Sequence, residues 1–247
     1  MNYALIIGRK GSKGFPNKNI QNVMGRKLFE YPLLAALNSK KISRVFVSTD
    51  CPVIKKKIEK YKKVTLLNRP KHLATDGALG EEVFQNAYFQ IKDIISKQKK
   101  KINLLTLLFA NAPAITSKMI DKSILILQKN KKLDSVVSTS VYNMWSPLRA
   151  RKLDKKGLLK PFVKFEYFGN PKTLNCDRDS QGDVYYADMS LSVVRPKCLE
   201  NLKKGLLPQK WMGKKIAPIK SYAGFDIDYE WQLPLLEYRL KKNGFNK

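Results

Sequence analysis

Cysteine is scarce in this chain. Cys51, Cys176 and Cys198 are the only three. No two stand at a metal-binding spacing, and the odd number excludes a fully paired disulfide framework. None lies beside a motif, which argues against a thiol nucleophile. Histidine is scarcer still: His72 is alone, so the side chain that titrates near neutral pH occurs once and is not expected to carry chemistry. Long apolar runs are absent too. The longest mostly apolar stretch, residues 104–110, has the length of a strand, whereas a membrane span needs about 18 residues or more. Met1-Asn2-Tyr3 leads into a strand without the layout of a secretory signal. The expectation is a soluble chain in a reducing cytoplasm, with no membrane partner.

Acidic residues are few, 20 against 48 basic ones, for a net charge of +28. The excess is lysine, 39 against 9 arginines, spread in groups such as Lys55-Lys56-Lys57 and Lys99-Lys100-Lys101. No segment resembles a zinc finger, a basic zipper or an RNA-recognition motif. A lysine-dressed solvated surface accounts for the charge. Nucleic acid is not an expected partner, and attraction of an anionic substrate is a side effect of the field.

What the chain does have is alternation. Strand-length apolar segments at residues 3–7, 45–48, 64–67, 104–109 and 135–140 alternate with helical patterns at 28–38, 52–61, 81–96 and 118–129. A strand segment at 184–194, a strand at 216–219 and a helix at 231–242 follow. This predicts one domain over 1–247, a doubly wound, mostly parallel α/β sheet. Residues 142–182 break the pattern with Tyr142, Trp145, Phe162, Phe165, Tyr167 and Phe168. A stretch of that length rarely stands idle in a compact domain, and its aromatics suit a packing surface.

The most informative stretch is 5–19, Leu-Ile-Ile-Gly-Arg-Lys-Gly-Ser-Lys-Gly-Phe-Pro-Asn-Lys-Asn. A strand runs into Gly8, Gly11 and Gly14, with Arg9, Lys10, Lys13 and Lys18 around them. Glycines let successive N–H groups converge on an anion, and the cations neutralise it. The spacing matches neither a P-loop nor a dinucleotide fingerprint, so spacing alone leaves a phosphate loop and an ordinary basic turn both open. Near the other end, Asp226 and Asp228 in Phe-Asp-Ile-Asp-Tyr-Glu can share one divalent cation, or can simply open a helix.

The whole string resembles the amino-terminal motif A-R-G-G-S-K-G-x-P-x-K-N of the acylneuraminate cytidylyltransferases, the CMP-sialic acid synthetase-like family. It keeps Arg9, Gly11-Ser12-Lys13-Gly14, Pro16 and Lys18-Asn19, and departs at Gly8 and Lys10. Arg69-Pro70 with Leu73-Ala74 and Asp76 is similar to the family's R-P-x-x-L-A-x-D, although Gly80 replaces the usual serine. Asp226-Ile227-Asp228 resembles its D-I-D segment. The resemblance covers about residues 3–235 and is weakest across 142–182. It implies a Rossmann-like nucleotide-diphospho-sugar transferase fold, and CTP bound by Arg9, Gly11, Ser12, Lys18, Asn19 and Arg69. It also implies Mg²⁺ or Mn²⁺ on Asp226 and Asp228, with Arg9, Lys18 and Asp228 catalytic.

On the acceptor side, Leu107-Leu108-Phe109-Ala110-Asn111-Ala112-Pro113 stands where the family has L-L-Q-P-T-S-P, so Phe109 replaces a glutamine. The resemblance implies a carboxylated sugar met by Asn111, Arg149, Arg178 and Asp188, and an inserted dimerisation and acceptor-binding segment at 142–182, hence a homodimer. The expected reaction is condensation of CTP with a nonulosonic, sialic-acid-like 2-keto sugar acid, as in cell-surface polysaccharide biosynthesis. A nucleotidyltransferase with another acceptor or base stays open, as does a nucleic-acid-binding role. No residue is assigned as general base.

Overall fold

The protein is described by a computed structural model, over residues 1–247 except 143, 144, 176, 178–181, 222, 223, 243, 246 and 247. The elements follow in chain order as β1 Asn2–Ile7, β2 Asn22–Val23, β3 Arg26–Lys27, α1 Glu30–Leu37, β4 Arg44–Ser48 and α2 Pro52–Ile58. Then come β5 Val64–Leu67, α3 Gly80–Lys97, β6 Leu104–Phe109, α4 Ser117–Lys129 and β7 Ser135–Val141. The last are β8 Arg151–Leu153, β9 Leu159–Pro161, β10 Tyr185–Val194, α5 Pro196–Glu200, β11 Ile216–Lys220 and α6 Leu233–Lys242.

Seven strands form one sheet in the order β11-β7-β10-β6-β1-β4-β5. All its strands run parallel except β10, which lies antiparallel between β6 and β7. The mostly parallel doubly wound sheet is as the alternation predicts. The antiparallel strand is a refinement that local pattern does not announce.

The central strands β1 and β6 are almost wholly buried, as strands covered on both faces must be. Successive side chains point to opposite faces. Ala4 and Ile6 therefore join Leu33 of α1, Ile54 of α2 and Ile120 and Ile124 of α4 in one core. Tyr3, Leu5 and Ile7 join Phe84 and Ile91 of α3 and Leu199 of α5 in the other. Each fully buried aliphatic side chain contributes roughly 1.5–3 kcal/mol. A third, smaller core gathers Phe15, Val23, Leu28 and Tyr31 with Ile227, Leu236 and Leu240. It fastens α6 and the segment before it beneath the loop that follows β1, and so brings the two ends of the chain together.

Element ends differ from expectation in modest ways. The helix expected over 52–61 stops at Ile58. The one expected over 231–242 starts at Leu233, after a single 3₁₀ turn over Glu230–Gln232. Residues 142–182 hold a short antiparallel hairpin of β8 and β9 and a 3₁₀ turn at Phe165–Phe168. Their apolar side chains face solvent: Leu153 and Leu159 are each 69% exposed and Tyr167 is 77% exposed.

Candidate active site

The carboxyl ends of parallel strands are where open α/β sheets bind ligands. Here β1 ends in Gly8, whose N–H donates to the Ser48 carbonyl at the end of β4 (3.2 Å). A Cβ at Gly8 would lie 2.5 Å from the Ala110 Cβ just beyond β6. This position therefore takes glycine because two strand exits meet there, which explains its departure from the alanine of the motif. Gly11 turns the loop with φ +72°.

The loop closes over a cavity of about 420 Å³ lined by Arg9, Ser12, Lys18, Asn19, Arg69, Asn111 and Asp228, with Phe109, Gly80 and Tyr229 on its walls. Arg9 is ion-paired with Asp76, and Lys13 Nζ lies 3.5 Å from the same carboxylate. Lys18 is ion-paired with Asp228. The loop's cations thus hold carboxylates in this structure, Arg9 and Lys13 that of Asp76 and Lys18 that of Asp228. Asn19 is buried; its Nδ2 donates to the Arg9 carbonyl at 2.9 Å. Its Oδ1 is buried without a hydrogen-bond partner, an acceptor available to a ligand donor. Arg69 spends its donors locally, Nη2 to the Leu73 carbonyl at 2.8 Å and Nε to the same oxygen at 3.0 Å. It fixes the turn at Lys71–Ala74 while its side chain forms one wall.

The Asp226–Asp228 segment sits opposite the loop. Ile227 is wholly buried in the third core; of the two aspartates beside it, Asp228 lines the cavity and Asp226 does not. Asn111, expected at the acceptor, is the clamp on this segment. Its Nδ2 donates to the Ile227 carbonyl at 3.0 Å and to Asp226 Oδ2 at 3.4 Å. Its carbonyl accepts from the Ile227 N–H at 2.8 Å. Gln232 Oε1 accepts from the amides of Asp228 (2.6 Å) and Tyr229 (2.8 Å). Burial, and next the charge of Asp228, push the Asp226 carboxyl above its usual range, against the pull of Lys18. Two carboxylates in mutual repulsion, offering only oxygen donors, suit a hard divalent cation.

Other expected site residues lie elsewhere. Arg149 is exposed and its amide donates to the Ser146 carbonyl at 2.9 Å; it does not line the cavity. Arg178 falls outside the described residues. Asp188 is 1% exposed and also stands off the cavity, with its carboxylate enclosed by serine hydroxyls. Sequence reasoning missed Gln232, which looks like any polar helix-start residue. It also passed over Asp76 as a partner of Arg9, although Asp76 stands in the motif that drew attention to Arg69.

Residues 3–203 match the protein-family model described as Cytidylyltransferase. The chain belongs to the cytidylyltransferase family. It is 33% identical over 185 residues to the N-acylneuraminate cytidylyltransferase of Escherichia coli O18:K1:H7, covering 75% of this chain and 42% of that protein. It is 31% identical over 122 residues to the pseudaminic acid cytidylyltransferase of Campylobacter jejuni, covering 49% of this chain and 51% of the relative. The chain spans about half or less of the length of the curated relatives it matches, from 28% to 51% for the first three. In structure it is similar to the CMP:2-keto-3-deoxy-manno-octonic acid synthetase complexed with CTP, with a TM-score of 0.65 over 98% of this chain and 99% of that one at 13% identity. That likeness shows the shared fold. Among the described residues no helix is long and apolar enough to cross a membrane.

Proposed function

We propose that this cytidylyltransferase-family chain transfers the cytidylyl group of CTP to a hydroxyl of a nonulosonic 2-keto sugar acid. The observation that carries the reading is the single cavity that joins the Arg9–Asn19 loop to Asp228 at the strand ends. In the reaction the acceptor hydroxyl oxygen forms a bond to the α-phosphorus and its proton passes to water, the bond from that phosphorus to the β-phosphate bridge breaks, and pyrophosphate leaves with the electron pair. Arg9, Lys18 and the loop amides bind the triphosphate and meet charge that develops on the leaving group, the largest kind of catalytic contribution from fixed groups. Asn19 Oδ1 accepts a donor of the nucleoside. Arg69 and Ser12 shape the nucleotide side.

Asp226 and Asp228 fit a Mg²⁺ or Mn²⁺ ion. The described residues gather no group of three or more His, Cys, Asp and Glu, so substrate oxygens and water would complete its shell, as is usual for Mg²⁺. Such an ion, when bound, supplies neutralisation of phosphate charge. The relatives named for N-acylneuraminate and pseudaminic acid support a carboxylated nine-carbon acceptor. The exposed apolar arm around β8 and β9 supports a homodimer. The deciding experiment is a pyrophosphate-release screen of the four ribonucleoside triphosphates against nine-carbon and eight-carbon sugar acids. Release with CTP and a nonulosonic acid is expected. Turnover with a different nucleotide, or with a sugar lacking the carboxylate, would overturn the reading.

A further inference from the structure

Asp188 has no place in the cavity, yet it is the most heavily engaged buried carboxylate near it. It stands where β10 departs from regular pairing with β7: Ala187 pairs with Thr139, but Ser192 already pairs with Val137. The bulge includes Met189 in the left-handed region at φ 61°. This irregularity turns the Asp188 carboxylate inward. Oδ1 accepts from the Ser138 hydroxyl and from the Ser190 amide (3.1 Å). Oδ2 accepts from the Ser140 hydroxyl (3.1 Å) and the Ser221 hydroxyl. A bulge of this size is a built feature of a sheet, and bulges often re-aim a side chain next to a site.

The fourth partner shows what is being aimed. Ser221 directly follows β11, and its Oγ also accepts from the Gly224 N–H at 3.2 Å. Gly224 lies so close to this network that a Cβ there would stand 2.5 Å from both Asp188 Oδ2 and Ser190 Oγ. Two residues further on is Asp226. Phe225, in between, lies under the Arg239 guanidinium of α6 at 5.6 Å, and the Asp188 charge acts on the same Arg239. The Asp226–Asp228 segment is thus held from two sides. Asn111 holds Asp226 and Ile227, and Ser221 with Asp188 holds Gly224, two residues before Asp226.

We propose that Asp188 is a positioning residue for the Asp226–Asp228 pair, acting through Ser221 and Gly224. This rests on the assignment of a divalent cation to that pair. A buried carboxylate with four donors is rigid, and groups that orient metal-binding carboxylates typically change metal affinity about 10- to 100-fold when removed.

The test uses the full chain and the variants Ser221→Ala, Ser221→Thr, Asp188→Asn and Asp228→Asn. Each is checked for its melting temperature, for Mn²⁺ uptake by water-proton relaxation, and for amide hydrogen exchange over residues 224–228 without metal. Ser221→Ala should weaken Mn²⁺ uptake about 10-fold and speed exchange over 224–228. It should also raise the Mg²⁺ concentration needed for half-maximal pyrophosphate release, while kcat at saturating Mg²⁺ stays near its starting value. Ser221→Thr, which keeps the hydroxyl, should restore all three. If Asp188→Asn does not fold, Ser221→Ala carries the test, because it leaves the other three donors in place. Unchanged Mn²⁺ uptake and unchanged exchange in Ser221→Ala would overturn the proposal. Asp228→Asn separates the two layers. Loss of tight Mn²⁺ uptake there upholds the metal assignment whatever Ser221→Ala does, whereas unchanged uptake removes that assignment and this inference with it.

Discussion

Lys18 and Asp228 form an ion pair across 210 positions of sequence. The lysine belongs to the loop after the first strand and the aspartate to the segment before the last helix. Their meeting depends on the third core, where Phe15 and Ile227 pack together with α6. Because Asp228 is half exposed and Lys18 is not, the pair can open toward a ligand without disturbing that core.

Removing the loop cations should therefore cost function and leave the fold. Arg9→Ala and Lys18→Ala each delete a proposed charged partner of phosphate, an expected loss of about 2–4 kcal/mol or roughly 30- to 1000-fold in kcat/KM for CTP. Their melting temperatures should change little, since exposed pairs contribute about 0–1 kcal/mol. Steady-state kinetics with both variants checks this, and near-native values in both would remove the phosphate-loop role.

Asp228→Asn should abolish most turnover while the protein stays folded, because the substitution removes a proposed cation ligand and no core atom. Raising Mg²⁺ should recover only part of the rate. A Mg²⁺ titration of pyrophosphate release reads the outcome, and unaltered rate and Mg²⁺ dependence would sink the metal assignment.

Much of this site was legible in the sequence, and the reasons are local. The loop announces itself because a strand, three glycines and its cations fall within fifteen positions. Asp226-Ile227-Asp228 is legible because a buried residue between two acids fits a two-residue period. The role of Asp188 was not, because it depends on a bulge, and a bulge is a mismatch between two strands far apart in sequence. For the same reason the sequence showed Asn111 only as an expected acceptor contact on the cavity wall and not as a clamp. Its partners, Asp226 and Ile227, come from the other end of the chain and meet it only in the fold.

Asp134 offers a test of stability apart from the site. Burial alone would raise its pKa, but the hydrogen bonds from Lys197 and from the amides of Lys215 and Lys214 outweigh that and lower it to about 2. A depressed carboxylate contributes stability that is complete above its unfolded value and is lost as pH falls through its folded one. The shift corresponds to about 2 kcal/mol. Acid unfolding between about pH 4 and pH 2 should thus be shallower in Asp134→Asn, which should also be less stable at pH 7 by about that amount. Urea unfolding at pH 7 and at steps down to about pH 2 measures both.

The arm around β8 and β9 should mediate dimer formation. Leu153, Leu159, Phe162 and Tyr167 are each at least 60% exposed, and apolar and aromatic side chains grouped in this way are characteristic of interface cores. Light scattering at micromolar concentration should report a dimer, and Leu159→Lys combined with Phe162→Glu should shift it to monomer without lowering the melting temperature.

The acceptor preference should be set at Phe109. Its ring lies edge-on to Phe84 (5.1 Å) and Trp211 (6.3 Å), so it is braced from behind, and it presents an apolar wall to the cavity beside Gly80. The motif it resembles carries glutamine at this position, a side chain able to pair with a polar substituent. A wall that cannot hydrogen-bond leaves such a substituent desolvated and unpaired, which costs roughly 1–3 kcal/mol. A deoxy, amino-substituted nonulosonic acid such as pseudaminic acid should therefore be used in preference to N-acetylneuraminate by about 10-fold or more in kcat/KM. Phe109→Gln should narrow that ratio by improving turnover of N-acetylneuraminate, because the amide can pair with the polar substituent. Comparing kcat/KM for the two acids in both proteins decides the matter. A clear preference of the unaltered protein for N-acetylneuraminate would show that the acceptor's polar face meets some other part of the cavity.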